Sequence, residues 1–259
     1  MKRRHLLVLA GATALGAQAQ VVNLNDAINK AGRQRMLSQR MGKAWLAMLQ
    51  GTHTAKAQNV LDRSMALFDR QLVELKAFAP MPEVRETYLS LEAAWSEYKA
   101  LLVSAAPQTG RATALLKADA LVLSLAHKGT LEYEALSARP EGKLVNVAGR
   151  QRMLTQRMAK FYFAATLPVD ADMATTEISK ARNEFVSAMA LLRDAPQATK
   201  RIRQELALAE GQWLFFNSAI ERLQAARTTQ KQLSDVFVTS ENLLSVMDQV
   251  TGLYASLNT

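Results

Sequence analysis

A block of fifteen residues occurs twice in this 259-residue chain. Asn29-Lys30-Ala31-Gly32-Arg33-Gln34-Arg35-Met36-Leu37-Ser38-Gln39-Arg40-Met41-Gly42-Lys43 returns 117 positions later as Asn146-Val147-Ala148-Gly149-Arg150-Gln151-Arg152-Met153-Leu154-Thr155-Gln156-Arg157-Met158-Ala159-Lys160, with twelve of fifteen positions identical. A repeat restricts the fold before any other consideration, because each copy is one supersecondary unit that must bury its own apolar face. Weaker landmarks recur at nearly the same spacing: Phe68 and Phe185, Pro80 and Pro196, Trp95 and Trp213, Asp119 and Asp235. The units are expected over residues 20–138 and 139–259.

Each unit has room for four helices. Asn23, with Asp26 three residues on, is a candidate N-cap, and an apolar pattern of helical period runs from there to Leu49. Further helices are expected over 55–79, 83–105, 110–137, 141–166, 172–194, 197–226 and 229–257, separated by prolines 80, 82, 107, 140, 168 and 196. No segment alternates with period 2. Glycine and proline number only 11 and 6, which argues against a turn-rich β fold. The expected class is all-α: two tandem antiparallel four-helix units, joined end to end and related by pseudo-two-fold symmetry.

The first nineteen residues read differently. Met1-Lys2-Arg3-Arg4-His5, the apolar run Leu6 to Leu15 and Ala17-Gln18-Ala19 follow the order of a cleaved signal peptide, so a periplasmic protein is expected, exported by the Sec or the twin-arginine route. Cleavage would remove three cations and no acid, lowering the formal charge from +9 to +6. After export nucleic acid is not an expected partner, and the remaining excess favours small anions, acidic proteins or anionic lipid. With no cysteine the chain can build neither a disulfide scaffold nor a thiolate nucleophile. His53 and His127 lack ligand-like spacing, so no metal and no cofactor are expected. Met36, Met41, Met153 and Met158 read as core filler. Asp119, Asp235, Glu132 and Glu134 read as solvated or ion-paired helix positions, and no constellation for an enzyme is visible.

The repeated block carries the chemistry. On a helix, Leu37, Met41, Ala44 and Met48 gather on one side, expected to face the unit's own core, and Arg35 points almost directly away. Around Arg35 lie Ala31, Gly32, Ser38, Gln39 and Gly42, and around Arg152 lie Ala148, Gly149, Thr155, Gln156 and Ala159. Such small-residue faces suit a second helix packed closely against them. Two arginines meeting there at ~7 Å would repel by roughly 2 kcal/mol at an effective dielectric of ~20. A planar oxyanion between them would reverse the sign through charge-assisted bonds to both. The alternative is that Arg33, Arg35 and Arg40 pair with carboxylates on neighbouring helices. Arg33 and Arg40, flanking the core face, suit it better than Arg35.

The block N-x-A-G-R-Q-R-M-L-[ST]-Q-R-M resembles the signature of the PilJ-type N-terminal domain of type IV pilus methyl-accepting chemotaxis transducers, and is similar to the first-helix motif of the NarX and NarQ nitrate sensor kinases. The resemblance implies a periplasmic four-helix sensory domain binding nitrate or nitrite between first helices. It assigns anion contact to Arg35 and Arg152, within a ligand-binding set completed by Gly32, Gly149, Ala31, Ala148, Ser38 and Thr155. Arg40, Arg157, Asn29 and Asn146 are supporting. Family receptors continue into membrane helices and a cytoplasmic kinase or methyl-accepting region, which this sequence lacks, so a membrane receptor, transporter or pilus component is the expected partner. The arginine helices could pair within one chain or across a homodimer. A ligand-independent module docking a pilus, chemoreceptor or envelope protein is the competing expectation.

Overall fold

The computed structural model describes residues 20–137, 139–168, 171–223 and 227–257, and among these it contains eight α-helices and no strand. The leader expected over 1–19 and Ala138, at the expected unit boundary, lie outside the described residues. The helices are α1 (Leu24–Leu49), α2 (Thr54–Phe78), α3 (Pro82–Val103), α4 (Ala112–Leu136), α5 (Pro140–Ala165), α6 (Ala171–Asp194), α7 (Lys200–Ile220) and α8 (Gln230–Ala255), with a short 3₁₀ turn at Thr109–Arg111 before α4. None is long and apolar enough to cross a membrane.

Local chemistry sets the boundaries. The Asn23 side chain accepts the Asp26 amide at 2.9 Å, as the cap reading required. Thr199 caps α7, and Thr229 with Gln232 forms a reciprocal capping box on α8. Pro82 and Pro140 occupy the first turns of α3 and α5, where no amide donor is missed. α7 stops at Ile220, short of the expected residue 226.

Helices α1–α4 form one bundle and α5–α8 a second, with α1 packed on α2 and α4, and α5 on α6 and α8. The landmarks turn out to be partners. Phe68 and Trp95 pack ring on ring at 4.2 Å, and Phe185 and Trp213 do so at 4.4 Å. Tyr98 and Phe216 then meet those tryptophans edge-on. Trp95 is buried and Trp213 half-buried, as expected for equivalent third-helix positions.

The end-to-end arrangement is corrected. The most extensive helix contact in the chain joins α1 to α5, so the bundles lie side by side. Gly32 meets Gly149, Gly42 meets Lys160, and Gln50 bonds the Phe163 carbonyl at 2.8 Å, so the two helices run parallel. α1 is consequently buried on both faces: Leu37, Met41 and Ala44 inward, and Ala31, Gly32, Ser38 and Gly42 against α5. The arginine helices pair within one chain.

The last helix of each unit shifts register. Tyr133 donates to the Leu75 carbonyl and Tyr254 to the Leu192 carbonyl, each at 2.7 Å. Thr130 and Thr251 repeat the same back-bond to their own helices. In both pairs the α8 residue stands 121 positions after its α4 counterpart. The extra four residues beyond 117 are about one helical turn, so the inward face is kept. Asp119 therefore corresponds to Ser240, not to Asp235, and His127 corresponds to Asp248.

Candidate functional site

Gly32 and Gly149 leave, at the crossing of the two helices, the space that the arginine tips occupy. A Cβ added at Gly32 would stand 3.9 Å from the Gly149 Cα, 3.1 Å from Arg35 Nη2 and 3.6 Å from Arg152 Nη2. Both guanidinium nitrogens thus lie within 3.6 Å of one point in the seam. Both arginines are wholly buried, and each reaches across to the other repeat. Arg35 Nη2 donates to Asn146 Oδ1 at 2.6 Å, and Arg152 Nη2 donates to the Asn29 carbonyl at 3.1 Å. Among the described residues the Nε atom of each has no partner.

The two arginines differ in their remaining neighbour. Arg35 Nη1 donates to His127 Nδ1 at 3.2 Å. A guanidinium can only donate, so that ring nitrogen is bare and the histidine is neutral. Burial, then Arg35 and Arg150, push the His127 pKa down to about 4. Arg152 Nη1 instead donates to the Asp248 carboxylate, which also accepts from Arg33 at 3.0 Å. Partial burial works against the Asp248 charge, but Arg152 and Arg33 hold its pKa at about 2. Burial, followed by Arg150 and Arg152, lowers the Arg35 pKa to about 9. Burial, followed by Arg33 and against Asp248, lowers that of Arg152 to about 10. Both stay charged at neutral pH.

The other sequence-predicted residues sort themselves by contact. Asn146 accepts from Arg35 and donates to Glu134, so it links Arg35 indirectly to a carboxylate. Ala31 and Ala148 are buried without polar function. Ser38 and Thr155 donate to carbonyls of their own helices, at Arg35 and Gln151, and so are not aimed at the arginine pair. Arg40 binds Glu241 and Arg157 binds Glu177, which places both in ion pairs away from the pair. Arg33, expected to suit pairing with a carboxylate on a neighbouring helix, does so, and the carboxylate is Asp248 of the second unit.

Several residues were not foreseen. Asp119 is fully buried, where it accepts from Gln39 at 2.8 Å and from Lys160. Across the seam the buried Lys43 bonds Ser240 at 3.0 Å and Glu241 at 2.6 Å. His127 and Asp248 carried no spacing signal, because they sit on α4 and α8, outside the repeated block. His127 also lines a cavity of about 350 Å³ between α4, α5 and α6, together with Arg150, Arg157, Lys180, Glu177 and Glu184. Among the described residues no group of acids and histidines is arranged to hold a metal ion.

No curated protein and no solved structure matches the chain. A family model does, in two tandem stretches, residues 17–121 and 136–239, that together span most of its length; its description is the type IV pili methyl-accepting chemotaxis transducer N-terminal domain, PilJ. The family is a sensory rather than a catalytic one, and its two matches fall on the two helical units that meet at the arginine seam. The chain belongs to the PilJ family, of which it carries two copies in tandem.

Proposed function

We propose that this protein is a periplasmic sensory module that binds a small planar oxyanion, nitrate or nitrite, between Arg35 and Arg152. One observation carries the proposal: two fully buried guanidiniums approach a common point in the seam, and each keeps an Nε–H with no acceptor among the described residues. A buried donor without a partner costs about 1–3 kcal/mol, and more for a charged group, so a bound acceptor is strongly favoured there. A planar anion matches two guanidinium forks geometrically. Arg35 is the more exposed to this need, since its partners are an amide oxygen and a neutral imidazole. Ala31, Gly32, Ala148 and Gly149 serve by letting the helices approach. The liganded seam would then present an altered surface to a membrane receptor, transporter or pilus component.

Titration calorimetry and thermal melting against nitrate, nitrite, sulfate and phosphate test this reading. The expected result is binding of nitrate or nitrite that Arg35→Ala and Arg152→Ala each weaken by at least tenfold. A ligand binding only the folded state at a hundredfold excess over its Kd stabilises by about 2.7 kcal/mol, which melting detects readily. Absence of any oxyanion binding at millimolar concentration overturns the proposal and favours a module that docks its partner without a small ligand.

A further inference from the structure

The two arginines of the seam occupy equivalent positions, yet α4 offers one of them a histidine and α8 offers the other an aspartate. We propose that this difference makes the site selective for a singly charged anion held mainly by Arg35, with Asp248 as the residue that excludes dianions. The inference rests on the oxyanion reading given above and adds to it the charge of the ligand and the residue that sets it.

The steps are electrostatic. Arg35 bonds only neutral atoms directly: His127 Nδ1 and the side-chain and backbone oxygens of Asn146. Glu134 is reached only through the Asn146 amide. Arg152 is bonded directly to a carboxylate, and Asp248 remains ionised throughout the physiological range because two arginines face it. An anion placed between the guanidiniums therefore finds one fork uncompensated and the other already facing a negative charge. Between two fully buried guanidiniums, a second negative charge on the ligand would be set against Asp248, whose carboxylate already engages both Arg33 and Arg152, so neither of those cations is free to meet it. Nitrate, nitrite and similar monoanions avoid that penalty. Sulfate and hydrogen phosphate incur it.

Asp248 is 45% exposed at its side chain, so its replacement leaves no buried cavity. The register shift that brings it opposite Arg152 also explains why the repeat alone does not reveal it. Asp248 lies 121 residues after His127, outside the 117-residue periodicity of the block.

Calorimetry on the full mature chain with sodium nitrate and sodium sulfate decides the matter, using wild type, Asp248→Asn, His127→Asp and the control Asp235→Asn. Wild type is expected to bind nitrate and not sulfate. Asp248→Asn should bind nitrate at least tenfold more tightly and acquire measurable sulfate binding. His127→Asp, which gives Arg35 the carboxylate that Arg152 already has, should weaken nitrate at least tenfold, and it supplies the answer if Asp248→Asn melts early. Asp235→Asn removes the same charge from an i,i+4 pair with the exposed Lys231 and should change neither affinity. If wild type binds nitrate but Asp248→Asn neither tightens it nor admits sulfate, the inference falls while the oxyanion site stands. If wild type binds sulfate as well as nitrate, the inference also falls. If wild type binds neither anion, both fail.

Discussion

The two flanks of the α1–α5 seam start from nearly the same fifteen residues and end in different chemistry. On the α8 flank, Glu241 and Asp248 draw Arg33, Arg40, Lys43 and Arg152 into ion pairs, three of which cross between the units. On the α4 flank, the corresponding positions are Ala120 and His127, and one buried carboxylate, Asp119, holds Lys160. Arg150 and Arg157, the repeats of Arg33 and Arg40, turn instead to Glu184 and Glu177 of their own unit. The difference teaches where the repeat is free to diverge. The central helices must keep their small residues and arginines because each is the other's packing surface, whereas the flanking helices need only supply counter-charges.

The largest effect that breaks the comparison is expected from Asp119. Removing it as Asp119→Ala leaves Lys160 charged and buried with no carboxylate, a change that costs about 3–5 kcal/mol. Glu241→Ala on the other flank should cost less, since Lys43 keeps Ser240 and Arg40 keeps some access to water. Urea unfolding of both variants checks the order, and equal losses would mean that the flanks are energetically alike.

Gly32→Ala comes next and separates packing from binding. Its Cβ would press on Arg35 Nη2 at 3.1 Å, and that is the end of a flexible side chain, so the helix survives while the guanidinium must move. Replacing a mid-helix glycine by alanine returns about 1 kcal/mol of helix propensity, so the melting temperature should change little while nitrate affinity falls severalfold in calorimetry.

The pH profile sharpens the contrast further. His127 has a folded pKa of about 4, below its ordinary value of 6.5, so the unfolded chain takes up a proton first as pH falls. Its contribution is present above pH 6.5 and is lost between there and pH 4. Asp248 and Glu241 both have folded pKa values of about 2, below those of free carboxyls, and their contribution is lost later, from about pH 4.5 down to 2. Stability measured against pH should therefore fall in two stages, and His127→Asn should flatten only the upper one.

The smallest effect belongs to Asp235, the residue that sequence spacing aligned with Asp119. Its partners, Lys231 on the same helix face and Arg222 at 3.8 Å, are both exposed, so Asp235→Ala should cost no more than about 1 kcal/mol in the same unfolding assay.

That pair also shows what the sequence could and could not disclose. Helix number, the proline stops and the Asn23 cap were legible because they depend on neighbours close in sequence. That a second helix packs on the small-residue face around Arg35 was legible, whereas its being α5 of the same chain was not. Nor was the flanking chemistry. A few additional residues between α7 and α8 broke the periodicity that located everything else, and so Asp119 was matched to a half-buried residue paired with exposed cations. His127 and Asp248 owe their roles to packing against residues 92 and 96 positions away in the chain, and no local pattern encodes that. That Arg33 would meet a carboxylate on a neighbouring helix was legible, but that the carboxylate would belong to the other unit was not, because a helix with two buried sides has no solvent face by which to orient its flanks.

Running α1 parallel to α5 has a consequence for how such a site responds to its surroundings. Were the two arginine faces carried by separate chains, the site would exist only in the assembled fraction and would dissolve on dilution. Here α4 and α5 are joined by three residues, 137–139, so the second face is supplied at a fixed effective concentration. Occupancy of the proposed anion site would then depend on ligand alone, and would not change with the number of copies present.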